Sequence, residues 1–439
     1  MSVSHLLPRA SLAVLAFALA VPAFAQTIAI TGGRLAIGDG SDAIENGTVV
    51  ITNGKVVAAG ANVAIPTGAQ RIDATGKWVT PGIVSGFSRV GLVEVSAVES
   101  TNDSSARTSP FSAALDVAPS INPLVNPVAI SRTSGVTRAV VVPESAGSIF
   151  AGQGAVIDLG ADMEPITQAR AFQYVELGET GAKRAGGSRP ASYLMFRTLL
   201  REAQDYGRNP AAYDGRSKDS MLLRADAEAL VPVVQGKIPL MVHAESGRDI
   251  LTVIGLKKEF PALRLVLAGA GEGWTVATQI AAAKIPVIAG GVEDLPAQFE
   301  TLAATQSNVG RMTRAGVLVA LGLFTGDDGM QLRLAMQQAG NMVALQKMPG
   351  ATGLSWGAAL RAITSAPAEA LGLGDRIGSL RAGRAGDVVI WDGDPLELES
   401  APVAVWIDGV AQPLDNRQTK LRDRYATPAP GALPKAYEH

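Results

Sequence analysis

The chain contains no cysteine, which excludes disulfide bridges, thiolate metal sites and a lipid-attachment thiol. Histidine is almost as scarce: 439 residues hold three, His5, His243 and His439. Neither sign of charge dominates, with 38 Lys and Arg against 40 Asp and Glu and a formal net charge of -2. Such a balance gives no reason to expect a nucleic-acid or anionic-membrane partner. Aromatic residues make up only 5% of the chain. What is abundant is apolar residues, at 47%, and glycine, with 48 residues. A chain of this length and apolarity can bury one large core and a smaller one without covalent staples.

Arg9 precedes SLAVLAFALAVPAFA, an apolar run ending in Ala23-Phe24-Ala25 before Gln26. The pattern predicts a secretory signal peptide over residues 1–25, and hence a periplasmic or secreted protein with no membrane span after cleavage. Removing it would take His5 away and leave His243 and the C-terminal His439.

Residues 26–80 and 372–415 share one texture: short apolar strands separated by Gly-Gly, Asn-Gly and Asp-Gly turns. Asn53-Gly54 between VVIT and KVVAAG is a strong hairpin signal. Two strand-rich pieces at opposite ends of a chain can pack as one small β-sandwich domain with the middle inserted between them. That middle, residues 81–371, alternates strands such as IPLMVHA, LRLVLAG and IPVIAG with helical stretches, in units that suit a (β/α)8 TIM-like barrel. An open doubly wound sheet fits the alternation almost as well. Residues 416–439 form a polar tail, rich in Pro, Ala and charge, expected to be mostly extended.

The segment IDATGKWVTPGIVSG, Ile72 to Gly86, resembles the entry to the amidohydrolase superfamily, and three further stretches carry the same resemblance: Gly135 to Leu159, Pro239 to Ile250, and Ile363 to Glu397. Its imidazolonepropionase-like and peptidase-like branches are the nearest in pattern. The resemblance favours the barrel and implies a hydrolase of carbon–nitrogen bonds other than peptide bonds, normally dependent on zinc or another divalent metal. It also implies a small-molecule amide or peptide-like ligand and association into a homo-oligomer.

Laid over the family pattern, the first barrel strand departs from it. Ser85 stands where an aspartate is expected, and Phe87 and Arg89 stand where a His-x-His metal pair is expected. His243 matches a further ligand histidine, while the next strand offers Gly269. The family's bridging lysine corresponds loosely to Asp158, and its catalytic aspartate to Asp327, with Asp328 competing. Phenylalanine has no lone pair, and arginine is an always-charged donor that repels cations. No metal cofactor is therefore expected; an oxygen-rich site from Asp158, His243 and Asp327 is the weak alternative.

Without metal, His243 and Asp327 are the candidate general bases, and Arg89 the group that would stabilise developing negative charge. Glu179, Arg184 and Arg248 are candidate substrate-binding residues. The polar segments 99–127 and 178–190 read as loops roofing the mouth, where Arg184 and Arg189 would admit an anionic or peptide-like ligand. Each residue also has a plainer reading. His243 could be a strand-end histidine hydrogen-bonded to Glu245 or to a backbone carbonyl, Asp327 and Asp328 helix caps, and Arg89 one half of an ion pair. Three functions stay open: a metal-free hydrolase, a non-catalytic periplasmic binding or scaffold barrel, and a metal-independent lyase or isomerase.

Overall fold

The computed structural model describes residues 27–213, 220–324 and 329–427. The glycine-punctuated opening folds as β1 (Thr27–Leu35), β2 (Ile44–Thr52), β3 (Lys55–Gly60), β4 (Gln70–Asp73) and β5 (Trp78–Pro81). Asn53 and Gly54 turn the β2–β3 hairpin with φ of 52° and 74°, the left-handed pair that a tight hairpin requires. The chain then enters the barrel strands β6 (Ile83–Ser88), β7 (Val136–Val141), β8 (Phe150–Asp158), β9 (Ile166–Glu176), β10 (Leu240–Ala244), β11 (Leu265–Gly269), β12 (Val287–Ala289) and β13 (Val319–Leu321). It returns to the first sheet as β14 (Val388–Trp391), β15 (Pro402–Ile407) and β16 (Val410–Ala411).

The sheet made from the two chain ends is eight-stranded, in the order β16-β15-β14-β5-β1-β2-β3, with β4 also on β1. The two ends join where β5 pairs antiparallel with β14. Its separate core gathers Ile28, Ile30, Val49, Ile51, Val388 and Ile390. The composite, sandwich-like domain is present, and the barrel is inserted into it.

The barrel sheet runs in sequence order from β6 to β13. It is mostly closed, with the Leu323 amide donating to the Phe87 carbonyl across the seam at 3.2 Å. Gly86 permits this approach, because a Cβ there would lie 2.5 Å from the Leu321 carbonyl oxygen. Alternation along the strands gives two cores: Met241, Val266, Ala268, Ile288 and Ala320 fill the interior, while Val242, Leu265, Leu267 and Val287 face the surrounding helices.

Three local expectations give way. The barrel is not uniformly parallel, since β8 runs antiparallel to both β7 and β9 with no helix between them. Gly178–Arg184 is a helix rather than part of a roofing loop, and the helix Arg189–Arg208 begins within the same segment; Ser188 caps it, and Pro190 stands in its first turn, where no amide is needed. The tail is not extended throughout, because Arg417–Ala426 forms a helix closed by a reciprocal Asn416–Thr419 capping box. Among the described residues no helix is long and apolar enough to cross a membrane.

Arg138 ties the two domains together. This buried β7 side chain is held by Asp387 at 2.7 Å and Asp408 at 2.7 Å from the composite sheet, and by Asp158 of β8 at 3.7 Å. Burial pushes the Asp158 carboxyl up to about 6, against the pull of the Gly160 amide and Arg138. Asp158 thus serves the junction with the composite sheet. The expectation that it might bridge metals at the mouth fails, because it pairs with the N-terminal half of β7, opposite the strand ends that carry His243.

Candidate functional site

Parallel strands place their C-terminal ends at one mouth, and register fixes which side chains meet there. Glu176 of β9 lies directly beside His243 of β10. Period-two alternation points Tyr174 and Glu176 to the same inner face, as it does Met241 and His243. Tyr174, Glu176 and His243, with Arg89 after β6, Phe324 after β13, and Glu293, Leu295, Ala297, Gln298 and Thr301 on the rim, line a pocket of about 290 Å³.

His243 occupies the floor between two carboxylates. Its Nδ1 lies 2.7 Å from Glu176 Oε2, and its Nε2 lies 2.9 Å from Glu245 Oε1. The remaining carboxylate oxygens are also engaged: Tyr174 Oη donates to Glu176 Oε1 at 2.8 Å, and the Gly271 amide donates to Glu245 Oε2 at 2.7 Å. Carboxylates on both sides of the ring favour its doubly protonated form. Burial opposes that charge, but Glu176 and Glu245 outweigh it and hold His243 well above its ordinary range. Burial likewise opposes the Glu176 charge, and His243 outweighs it, keeping that carboxyl below its ordinary range. Tyr174, buried beside the Glu176 carboxylate, is pushed well above the usual phenol.

This geometry changes the role of His243. A doubly protonated ring has no free lone pair to take a proton from water, whereas its N–H groups can give one up. A metal would have to displace one of those protons. The remaining positions agree with that chemistry. Phe87 is 4% exposed and stacks on Phe324 with ring centroids 4.3 Å apart, filling the space with carbon. Gly269 leaves room that the Glu245 carboxylate takes: a Cβ at 269 would fall on Glu245 Oε1 and 2.9 Å from His243 Cδ2. Among the described residues no group of three or more His, Asp or Glu side chains is arranged to hold a metal ion. The residues present do not fit the two-metal centre.

Arg89 lines the same pocket as His243, with its Nη1 3.7 Å from Glu144 Oε2. Asp327, the other expected base, lies outside the described residues, as does Asp328. The expected ligand-binding set is drawn elsewhere. Arg184 donates to the Ser145 carbonyl at 2.8 Å. Arg189 is held by Asp249 at 3.0 Å and Glu300 at 3.1 Å, with Glu179 4.0 Å away. Arg248 is exposed on the helix Gly247–Glu259 and does not line the pocket. The basic roof is a set of helix-anchoring contacts.

Three pocket residues were not anticipated, Tyr174, Glu176 and Glu293, whereas Glu245 is the hydrogen-bond partner expected for His243. Tyr174 and Glu176 carried a readable signal, since FQYVE alternates Phe172, Tyr174 and Glu176 on one face of a strand. Glu245 stands two residues from His243. Glu293 is on an exposed rim loop; burial by its surroundings and the Glu245 charge hold its carboxyl above the ordinary range.

Residues 273–411 match the model of a family described as the amidohydrolase family. The amidohydrolase tasK of Hapsidospora irregularis is 27% identical over 383 residues, which cover 79% of this chain but only 38% of that protein. The crystal structure of an amidohydrolase from Thermotoga maritima MSB8 superposes with a TM-score of 0.76 at 27% identity, covering 89% of this chain and 100% of that one. Molinate hydrolase shares the fold, with a TM-score of 0.53 at 20% identity over 93% of this chain and 98% of its own.

Proposed function

We propose that this chain, which belongs to the amidohydrolase superfamily, hydrolyses carbon–nitrogen bonds other than peptide bonds at the barrel mouth without a two-metal centre. One observation carries the reading: Arg89 and the His243–Glu245 pair, from strands far apart in sequence, share one open pocket. In this reading Arg89 stabilises the oxyanion that forms when water adds to an amide carbonyl. The proton shared by His243 and Glu245 passes to the leaving nitrogen. Asp327, by resemblance, is the base that takes the proton from water. The apolar residues 1–25 support export as the setting of this activity.

A second reading has its own observation. Every oxygen of Glu176 and Glu245 is already hydrogen-bonded, and Phe87 and Phe324 occupy the floor, as suits a barrel that binds a ligand without reacting with it. Turnover of N-acyl amines, amino-acid amides and lactams, with and without chelator, separates the two. The hydrolase reading expects chelator-resistant turnover that falls at least tenfold in Arg89→Met and in Glu245→Gln. Chelator-sensitive turnover would refute the metal-free mechanism, and no turnover with intact ligand binding would establish the second reading.

A further inference from the structure

The pocket that would accept a substrate is not electrically neutral. Among the described residues its charged lining is three carboxylates, Glu176, Glu245 and Glu293, against two cations, Arg89 and His243. His243 is consumed by Glu176 and Glu245, and Arg89 is flanked by Glu144. Glu293 is left over: among the described residues no hydrogen bond or ion pair engages its carboxylate, and it faces the pocket from the rim. Desolvation is the main cause that holds the Glu293 carboxyl above its ordinary range, with the Glu245 charge adding to it and His243 opposing it. A carboxylate-bearing ligand entering here would meet more like charge than opposite charge, and the arginines once expected to receive it are bound elsewhere.

The rest of the lining suits a cation with an apolar body. The rings of Phe87, Phe324 and Tyr174 wall the pocket, and aromatic faces attract a desolvated ammonium. Outside them Leu295, 81% exposed, carries the lining outward as an apolar shelf on the rim, and Phe299, 86% exposed, follows on the same segment. Acidic lining, aromatic walls and an apolar shelf meet at one opening.

We infer that the mouth selects ligands carrying a protonated amine on an aromatic or alkyl body, with Glu293 as the residue that receives the ammonium, and that it rejects N-acyl amino acids and other carboxylates. The inference rests on the reading of this mouth as the ligand site, and deepens it by naming the charge class. Its substrates, in that reading, are amides of amino-bearing compounds, such as N-acyl diamines and amino-acid amides with a free amine.

Calorimetric titration of the intact protein with benzylammonium, benzyl alcohol and benzoate tests the charge preference directly, because the three probes differ in one group. Benzylammonium is expected to bind about tenfold more tightly than benzyl alcohol, and benzoate more weakly than either. Glu293→Gln should remove most of that tenfold advantage and leave benzyl alcohol unaffected. Benzoate binding best, an undiminished ammonium preference in Glu293→Gln, or no binding of any probe would each overturn the inference. The titration needs no turnover: a clear ammonium preference in a protein that hydrolyses no amide would end the hydrolase reading and leave this one standing.

Discussion

The charged floor of the barrel depends on the absence of a side chain at Gly269, and Gly269→Ala measures how much. The residue has φ of +83°, so any Cβ there first incurs the left-handed backbone cost of about 1 to 2 kcal/mol. That Cβ also falls on Glu245 Oε1, which has to leave. Glu245 then loses its bonds to His243 Nε2 and to the Gly271 amide, each a charge-assisted bond contributing about 1.5 to 3 kcal/mol. Partial relaxation of Glu245 toward the open mouth recovers some of this, so a total of about 4 kcal/mol is expected. Gly316→Ala is the control: its φ is +88°, but nothing lies within 4 Å of the added carbon, so only the backbone cost applies. Urea unfolding of both variants should show Gly269→Ala less stable than Gly316→Ala by about 2 to 3 kcal/mol at an unchanged m-value. In parallel, the NMR titration of the His243 ring should move down toward the ordinary imidazole range. Equal losses in the two variants, with His243 unmoved, would refute the claim that Glu245 occupies this place.

Three further outcomes are expected. The raised pKa of His243 adds stability that is fully present below the unfolded value of 6.5 and fades as pH climbs through the folded value. The lowered pKa of Glu176 adds stability that is present above 4.5 and fades as pH falls, so the network contributes most between pH 4.5 and 6.5; His243→Phe should flatten the alkaline limb in a pH series of denaturation curves. Arg189→Ala leaves the buried Asp249 and Glu300 carboxylates without their cation, and should cost about 2 kcal/mol in unfolding free energy while leaving benzylammonium affinity unchanged. Arg138→Met strands Asp387 at the domain junction and should cost about 3 to 5 kcal/mol, read as a lowered urea midpoint.

The fold was legible because its signals are local and repeated. Asn53-Gly54 declares a hairpin, and β10 and β11 are apolar runs followed by glycine or serine and then a helix. The antiparallel β8 was less visible, since FAGQGAVID carries glycines where a buried strand usually carries branched residues. Gly154 is needed there because the Phe172 ring lies against it. Of the site, His243 and Arg89 were legible as strand-end polar residues, and Gly269 as a missing donor. What replaced the donor was not legible. That Glu245 fills the Gly269 space depends on three-dimensional proximity, and that Arg189 is spoken for depends on Asp249 and Glu300, which lie far along the chain. Counting histidines could not say that the last internal one is clamped between two carboxylates.

The junction of β5 with β14 has a consequence for how the molecule is made. Trp391 donates its indole proton to Thr80 across that seam, from 311 residues further along the chain. The opening strands therefore emerge from synthesis with an edge that cannot be satisfied until almost the whole polypeptide has followed. Every amino acid of the barrel has to be translated while that edge waits, so premature stops between residue 371 and β14 should release a chain whose barrel is encoded in full yet whose β5 edge has no mate. Such truncations would be sticky rather than merely shorter, and a tethered strand mimicking β14 should restore their solubility.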